Sequence, residues 1–199
     1  MPMNPSLLEQ SGSNSLAEQR LVLYGISWQQ YETLRQTLEE VPGTRLTYLD
    51  GTLEIMTPSP EHEDRKTTIG DLLSVYLTQK RIRFYHRGSP TLKNQDTARG
   101  KEPDDSFNLE TKKDVPDIAI EVIVSSGSLE ILSVYQGLGV PEVWLWKNNQ
   151  LSIYHLRSQG YEQISKSELL PELDLALLVK YLNYPDQYDA IIEFRNAIA

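Results

Sequence analysis

Ile118-Ala119-Ile120-Glu121-Val122-Ile123-Val124 reads as a buried strand with one carboxylate set inside it. An apolar run of this length, rich in β-branched residues and entered past Pro116, is a strand signal. An ionised carboxylate within it costs on the order of several kcal/mol unless something answers its charge. A divalent cation shared with a second acid is one answer, and the acidic turn Glu102-Pro103-Asp104-Asp105 lies upstream. A salt bridge from a neighbouring lysine or arginine, or a strand end opening to solvent, is the structural alternative.

Moving outward from this strand, Ser125-Ser126-Gly127-Ser128 predicts a turn with a helix N-cap, and the short helix after it should stop at Gly137 or Gly139. Val140–Lys147 and Leu151–Leu156 form a hairpin pattern around Asn148-Asn149, and Gly160–Ile164 adds a further strand. The tail from about Leu173 is helical, interrupted at Pro185. Upstream, strands fall at Ile82–Arg87 and Thr91–Asn94, while the polar stretch Arg99–Asp105 reads as a turn. Ser27 and Gln30 make a capping box for a helix through Trp28, Tyr31, Leu34 and Leu38. Arg45–Thr57 is a hairpin around Asp50-Gly51, and a helix follows from about Glu61 to Gln79. Residues 1–19 are polar, serine-rich and aperiodic, so they are expected to be a flexible segment ahead of a single domain over residues 20–199. The order of elements predicts an α/β protein of the mixed α+β kind: a central mixed sheet flanked by helices, preceded by an N-terminal helix and hairpin.

Composition narrows the function classes. The chain has no cysteine, which excludes thiolate metal sites, disulfides and cysteine nucleophiles and fits a cytoplasmic protein. No run approaches the roughly 20 apolar residues of a membrane span, and the N-terminus lacks a signal-peptide pattern. The formal net charge of −9 disfavours general affinity for nucleic acid. Its distribution is uneven, however: Lys80, Arg81, Arg83, Arg87, Lys93, Arg99 and Lys101 cluster ahead of the Pro103-Asp104 turn, with Asp96 their only acid.

Three segments together resemble one bacterial family. They are Gly100-Lys101-Glu102-Pro103-Asp104 with Ser106-Phe107, Pro116-Asp117-Ile118-Ala119-Ile120-Glu121, and Tyr135-Gln136-Gly137-Leu138-Gly139-Val140-Pro141-Glu142-Val143-Trp144. Asp50-Gly51-Thr52-Leu53-Glu54-Ile55-Met56-Thr57-Pro58-Ser59-Pro60-Glu61-His62-Glu63 matches the N-terminal signature of the same family. This is the Uma-type family of restriction-endonuclease-like proteins, within the PD-(D/E)XK nuclease superfamily. The resemblance implies a restriction-endonuclease-like core and Mg²⁺- or Mn²⁺-dependent hydrolysis of DNA. It assigns Asp104 and Glu121 as metal ligands and places His62 or Glu63 near the site, with Glu54 and Lys66 further out. A homodimer is the simplest arrangement for cutting both strands.

The chain departs from that pattern at the lysine. Two residues after Glu121, where the superfamily lysine would share its strand face, stands Ile123. The resemblance implies that relatives offer a lysine from the next helix, and Ile131 stands at that position. Lys101, Lys66, Lys112 or Lys113 would have to substitute, and we take Lys101 with Asp104, Glu121 and His62 as the catalytic set. The second reading is a catalytically inactive nuclease-fold protein acting as a binding or assembly module, which the two isoleucines and the acidic charge favour.

Overall fold

The computed structural model describes residues 17–124 and 130–199. In chain order it begins β1 (Gln19–Tyr24), α1 (Trp28–Leu38), β2 (Arg45–Leu49), β3 (Thr52–Thr57) and α2 (Pro60–Gln79). Then come β4 (Phe84–His86), β5 (Leu92–Asn94), β6 (Arg99–Lys101), β7 (Asp105–Leu109) and β8 (Ile118–Ile123). The remainder is α3 (Ile131–Leu138), β9 (Glu142–Lys147), β10 (Gln150–Arg157), β11 (Gly160–Ile164), α4 (Leu175–Leu182) and α5 (Gln187–Ala197). The turn expected at Ser125–Ser128 lies outside the described residues.

The Asp50-Gly51 hairpin grows into a sheet of its own. Asp50 and Gly51 take φ of 45° and 86°, the left-handed pair that a type I′ turn requires. Strands β1, β6 and β5 extend the hairpin into a five-stranded antiparallel sheet in the order β1-β3-β2-β6-β5. Two of these additions correct the sequence reading. No strand was expected before Trp28, and the polar Arg99–Asp105 stretch was read as a turn. Instead β6 lies there and β7 begins at Asp105. Polarity hid both strands, because each contributes charged side chains to a face that is not packed on the hydrophobic core.

The two faces of this sheet differ completely. Leu46, Tyr48 and Leu53, with Leu23 and Ile55, pack against Tyr31, Leu34 and Leu38 of α1, whose Ser27–Gln30 capping box forms as expected. Residues paired directly across strands share a face, so the register puts Arg20, Met56 and Arg45 in one row of the other face. Val22, Glu54, Thr47 and Lys101 make the next row. Gly100 makes the close packing possible: a Cβ there would lie 2.2 Å from the Tyr31 hydroxyl. With Gly100 against α1, strand alternation sends the next residue, Lys101, to the opposite face.

The second sheet is mixed, with order β11-β10-β9-β8-β7-β4. β8 and β9 run parallel, with the crossover that parallel pairing requires supplied through α3, and the other pairs are antiparallel. Ile118, Ile120 and Val122 of β8 join the main core with Ile69, Leu73 and Leu77 of α2, Trp144 of β9, Leu178 of α4 and Phe194 of α5. The alternate residue Ala119 packs instead with Val134, Tyr135 and Leu138 of α3. Helices thus cover both faces, and the α+β architecture agrees with the restriction-endonuclease-like core expected. Among the described residues, no helix is long and apolar enough to cross a membrane.

Candidate active site between the two sheets

Glu121 shares the strand face of Ala119 and so points toward α3 and the charged face of the first sheet. The β7–β8 pairing sets Asp105 opposite Ile120. One step further, that register brings Asp104 across from Glu121. Asp104 is fixed there by its own acceptor, since Val122 N–H donates to its Oδ2 at 2.7 Å. Glu121 is held from two sides. Lys101 Nζ of β6 stands 3.1 Å from its Oε2, and the Tyr135 hydroxyl of α3 donates to its Oε1.

His62 enters from the first turn of α2, where Ser59 caps the helix by accepting from the His62 backbone N–H and Pro60 fits the N1 position. Its Nε2 lies 3.0 Å from Asp104 Oδ2, in ion-pair contact but off the line of a regular hydrogen bond. Its Nδ1 lies 3.0 Å from Glu18 Oε2. Glu18 in turn pairs with Arg20, which also reaches Glu54 Oε1 at 2.5 Å. The cluster is buried: Asp104 is 2 % exposed, Glu121 5 %, Lys101 3 % and His62 1 %.

Burial at this density makes electrostatics decisive. Burial works against the ionised form of Asp104, but contacts with His62, Lys101 and the Val122 N–H outweigh it and hold this carboxyl below the usual range. Burial pushes Glu121 the other way, to about 7, and the neighbouring Asp104 charge adds to the rise against the pull of Lys101 and Tyr135. Burial alone would lower Lys101 and His62. The acids around each reverse that, so both are raised: Glu121, Asp104 and Glu54 for Lys101, Asp104 and Glu18 for His62. Two neighbouring buried carboxyls therefore differ in acidity, with Asp104 lowered and Glu121 raised, an arrangement typical of functional sites.

A small cleft opens onto this cluster, lined by Glu121, Lys101, Glu54, Thr47, Arg20 and Arg45 on the polar side. Ile123 and Ile131 line its opposite wall. The two positions where a lysine was expected thus do face the cleft, as aliphatic wall, while the ammonium arrives from the other sheet. The remaining lysine candidates are elsewhere: Lys66 pairs with Glu63 along α2, Lys113 with Asp117 at 2.6 Å, and Lys112 lies over the Tyr85 ring. Asp117 stands at the entry to β8 and accepts from Leu109 N–H. Glu63 pairs with Lys66, whereas Glu54 lines the cleft beside Lys101.

The chain matches the family model described as "Uma2: Putative restriction endonuclease" over residues 28–183. It belongs to this family. Every element that builds the Uma2 cleft lies within the match except β1 with Glu18 and Arg20. No curated protein matches the chain.

Sequence reasoning assigned no site role to Glu18, Arg20, Arg45 or Tyr135. Tyr135 had a signal, standing one helical turn after Ile131 and so on the same side of α3. Glu18 and Arg20 had only the faint alternation Arg20-Leu21-Val22-Leu23 beside a serine-rich tail. Their partners, Glu54 and His62, are distant in sequence, and nothing local announces the contact.

Proposed function

We propose that this Uma2 protein is a divalent-metal-dependent endonuclease that hydrolyses DNA phosphodiester bonds. The observation that carries the reading is Lys101 Nζ at 3.1 Å from Glu121 Oε2, with Asp104 just ahead of the adjoining strand β7. Glu121 and Lys101 line the cleft and the buried Asp104 lies close enough to act on the charge of both, which together supply acids and an ammonium suited to metal-assisted phosphodiester hydrolysis. Among the described residues no group of three or more acids and histidines gathers to cage a metal. Mg²⁺ and Mn²⁺ do not need such a cage: one or two carboxylates suffice, with water and substrate oxygens filling the other positions. Asp104 and Glu121 fit that requirement. When bound, the ion would polarise the phosphoryl group and acidify an attacking water.

The protein's own groups have separable tasks in this account. Val122 N–H and His62 orient Asp104, and the Glu18 contact orients His62 from behind. Tyr135 and Lys101 fix the Glu121 rotamer from opposite sides. Lys101 also brings positive charge to where negative charge grows on the phosphate as the bond to water forms. A two-fold pair of chains would present one such cleft to each strand of a duplex. Purified protein incubated with plasmid DNA and Mn²⁺ should nick it, and both Asp104→Ala and Glu121→Ala should abolish nicking. Cleavage that survives both substitutions overturns the assignment.

One observation favours a second reading, a non-catalytic binding module. Each carboxylate already has protein partners, and Lys101 neutralises Glu121 without any ion. Calorimetry separates the two readings, because the module would bind neither Mg²⁺ nor Mn²⁺ at Asp104 and Glu121.

A further inference from the structure

Arg45 differs from the other basic residues of the cleft. Lys101 is engaged by Glu121, and Arg20 by Glu18 and Glu54. Arg45 Nη1 donates only to the carbonyl of its neighbour Thr44, at 3.1 Å. Among the described residues no carboxylate pairs with its guanidinium. Arg45 is half-buried and sits at the start of β2, across Met56 from Arg20, on the row of the sheet next to Lys101. Met56, Val122, Ile123 and Ile131 supply apolar lining around it.

A guanidinium in this position has most of its five N–H donors uncommitted and is partly withdrawn from water. Its planar fork matches the non-bridging oxygens of a phosphate better than any single point charge. The groups deeper in the cleft are buried, so an anion reaching Lys101 passes this rim. We propose that Arg45 grips the phosphodiester of a nucleic-acid strand at the mouth of the cleft, setting it above Lys101 and Glu121. The proposal deepens the nuclease reading and rests on it for the identity of the anion. Arg20, tied to two carboxylates, serves to hold Glu54 and Glu18 in place beside it.

The test is fluorescence anisotropy of a labelled DNA strand, and of the same strand in a duplex, with the full chain in EDTA over a range of NaCl concentrations. Arg45→Ala and Arg45→Gln should each weaken binding about tenfold at moderate salt, the worth of one charge-assisted bidentate contact. The slope of log affinity against log salt should shrink by about one. Arg195→Ala, which removes an equal charge from the exposed end of α5, should change neither. Loss on the single strand alone identifies a strand threaded into the cleft, and loss on the duplex identifies a docked double helix. Wild-type affinity and slope in both Arg45 variants overturn the proposal, as does a wild type that binds neither DNA. Arg45-dependent binding by a protein that cuts nothing with Mn²⁺ sinks the hydrolytic reading while leaving the Arg45 site standing.

Discussion

Lys101 and Glu121 form a buried ion pair across two sheets, Nζ to Oε2 at 3.1 Å, with both side chains withdrawn from solvent. The pair links the N-terminal sheet to the mixed sheet beside the apolar packing of Leu49 and Leu92 with Ala119 and α3. Removing one member strands the other charge in a dry environment, which costs about 3–5 kcal/mol for a buried pair. Lys101→Met should therefore lower the stability of the metal-free protein by that order, read from urea unfolding above the Glu121 pKa. Lys101→Met/Glu121→Gln should recover most of the loss, since no charge is then left unanswered. Equal stability of the single and double variants would show that the pair contributes little.

A pH dependence follows from the same pair. The folded protein raises Glu121 from an ordinary 4.5 to about 7, so the folded state binds this proton more tightly than the unfolded chain does. The resulting stabilisation is fully present below the unfolded value and is lost as pH rises through the folded one. In EDTA, wild type should lose stability relative to Glu121→Gln across that window, by up to about 3 kcal/mol. Denaturant midpoints of both proteins at several pH values measure it, and parallel curves would contradict the burial of an ionisable Glu121.

Gly100 is required for a close approach. A Cβ at this position would stand 2.2 Å from the Tyr31 hydroxyl and 2.5 Å from Tyr31 Cζ. Gly100→Ala should cost about 1–3 kcal/mol by overpacking, seen as a lower Tm. It should also impair cleavage, because shifting β6 moves Lys101. Tyr31→Phe should not rescue it, since ring carbons as well as the hydroxyl obstruct the methyl group.

Sequence legibility followed the range of the interactions. Local rules were enough for the Ser27 capping box, the Asp50-Gly51 turn, the Gly139 helix end and the apolar β8 strand, all of which formed as read. They failed for β1 and β6, whose polar residues look like loop until a second sheet gives their charged face something to line. Asp104 and Glu121 were legible through motif resemblance and Lys101 as one of four lysines able to substitute for the absent one, and the structure sets Lys101 against Glu121. His62 entered through the same resemblance as an alternative to Glu63, and it lies buried against Asp104. The Glu18–His62 and Arg20–Glu54 contacts join segments far apart in sequence, so no spacing rule could supply them.

The central claim is that Lys101 does from β6 what a lysine two residues after Glu121 would do from β8. Ile123 lines the same cleft, so the ammonium can be moved back: Mn²⁺-dependent plasmid nicking compares wild type, Lys101→Met and Lys101→Met/Ile123→Lys. The account predicts nicking by wild type, loss of at least about a hundredfold in Lys101→Met, the usual size of one missing charge stabiliser, and partial recovery in the double variant. Nicking by Lys101→Met at the wild-type rate would contradict it.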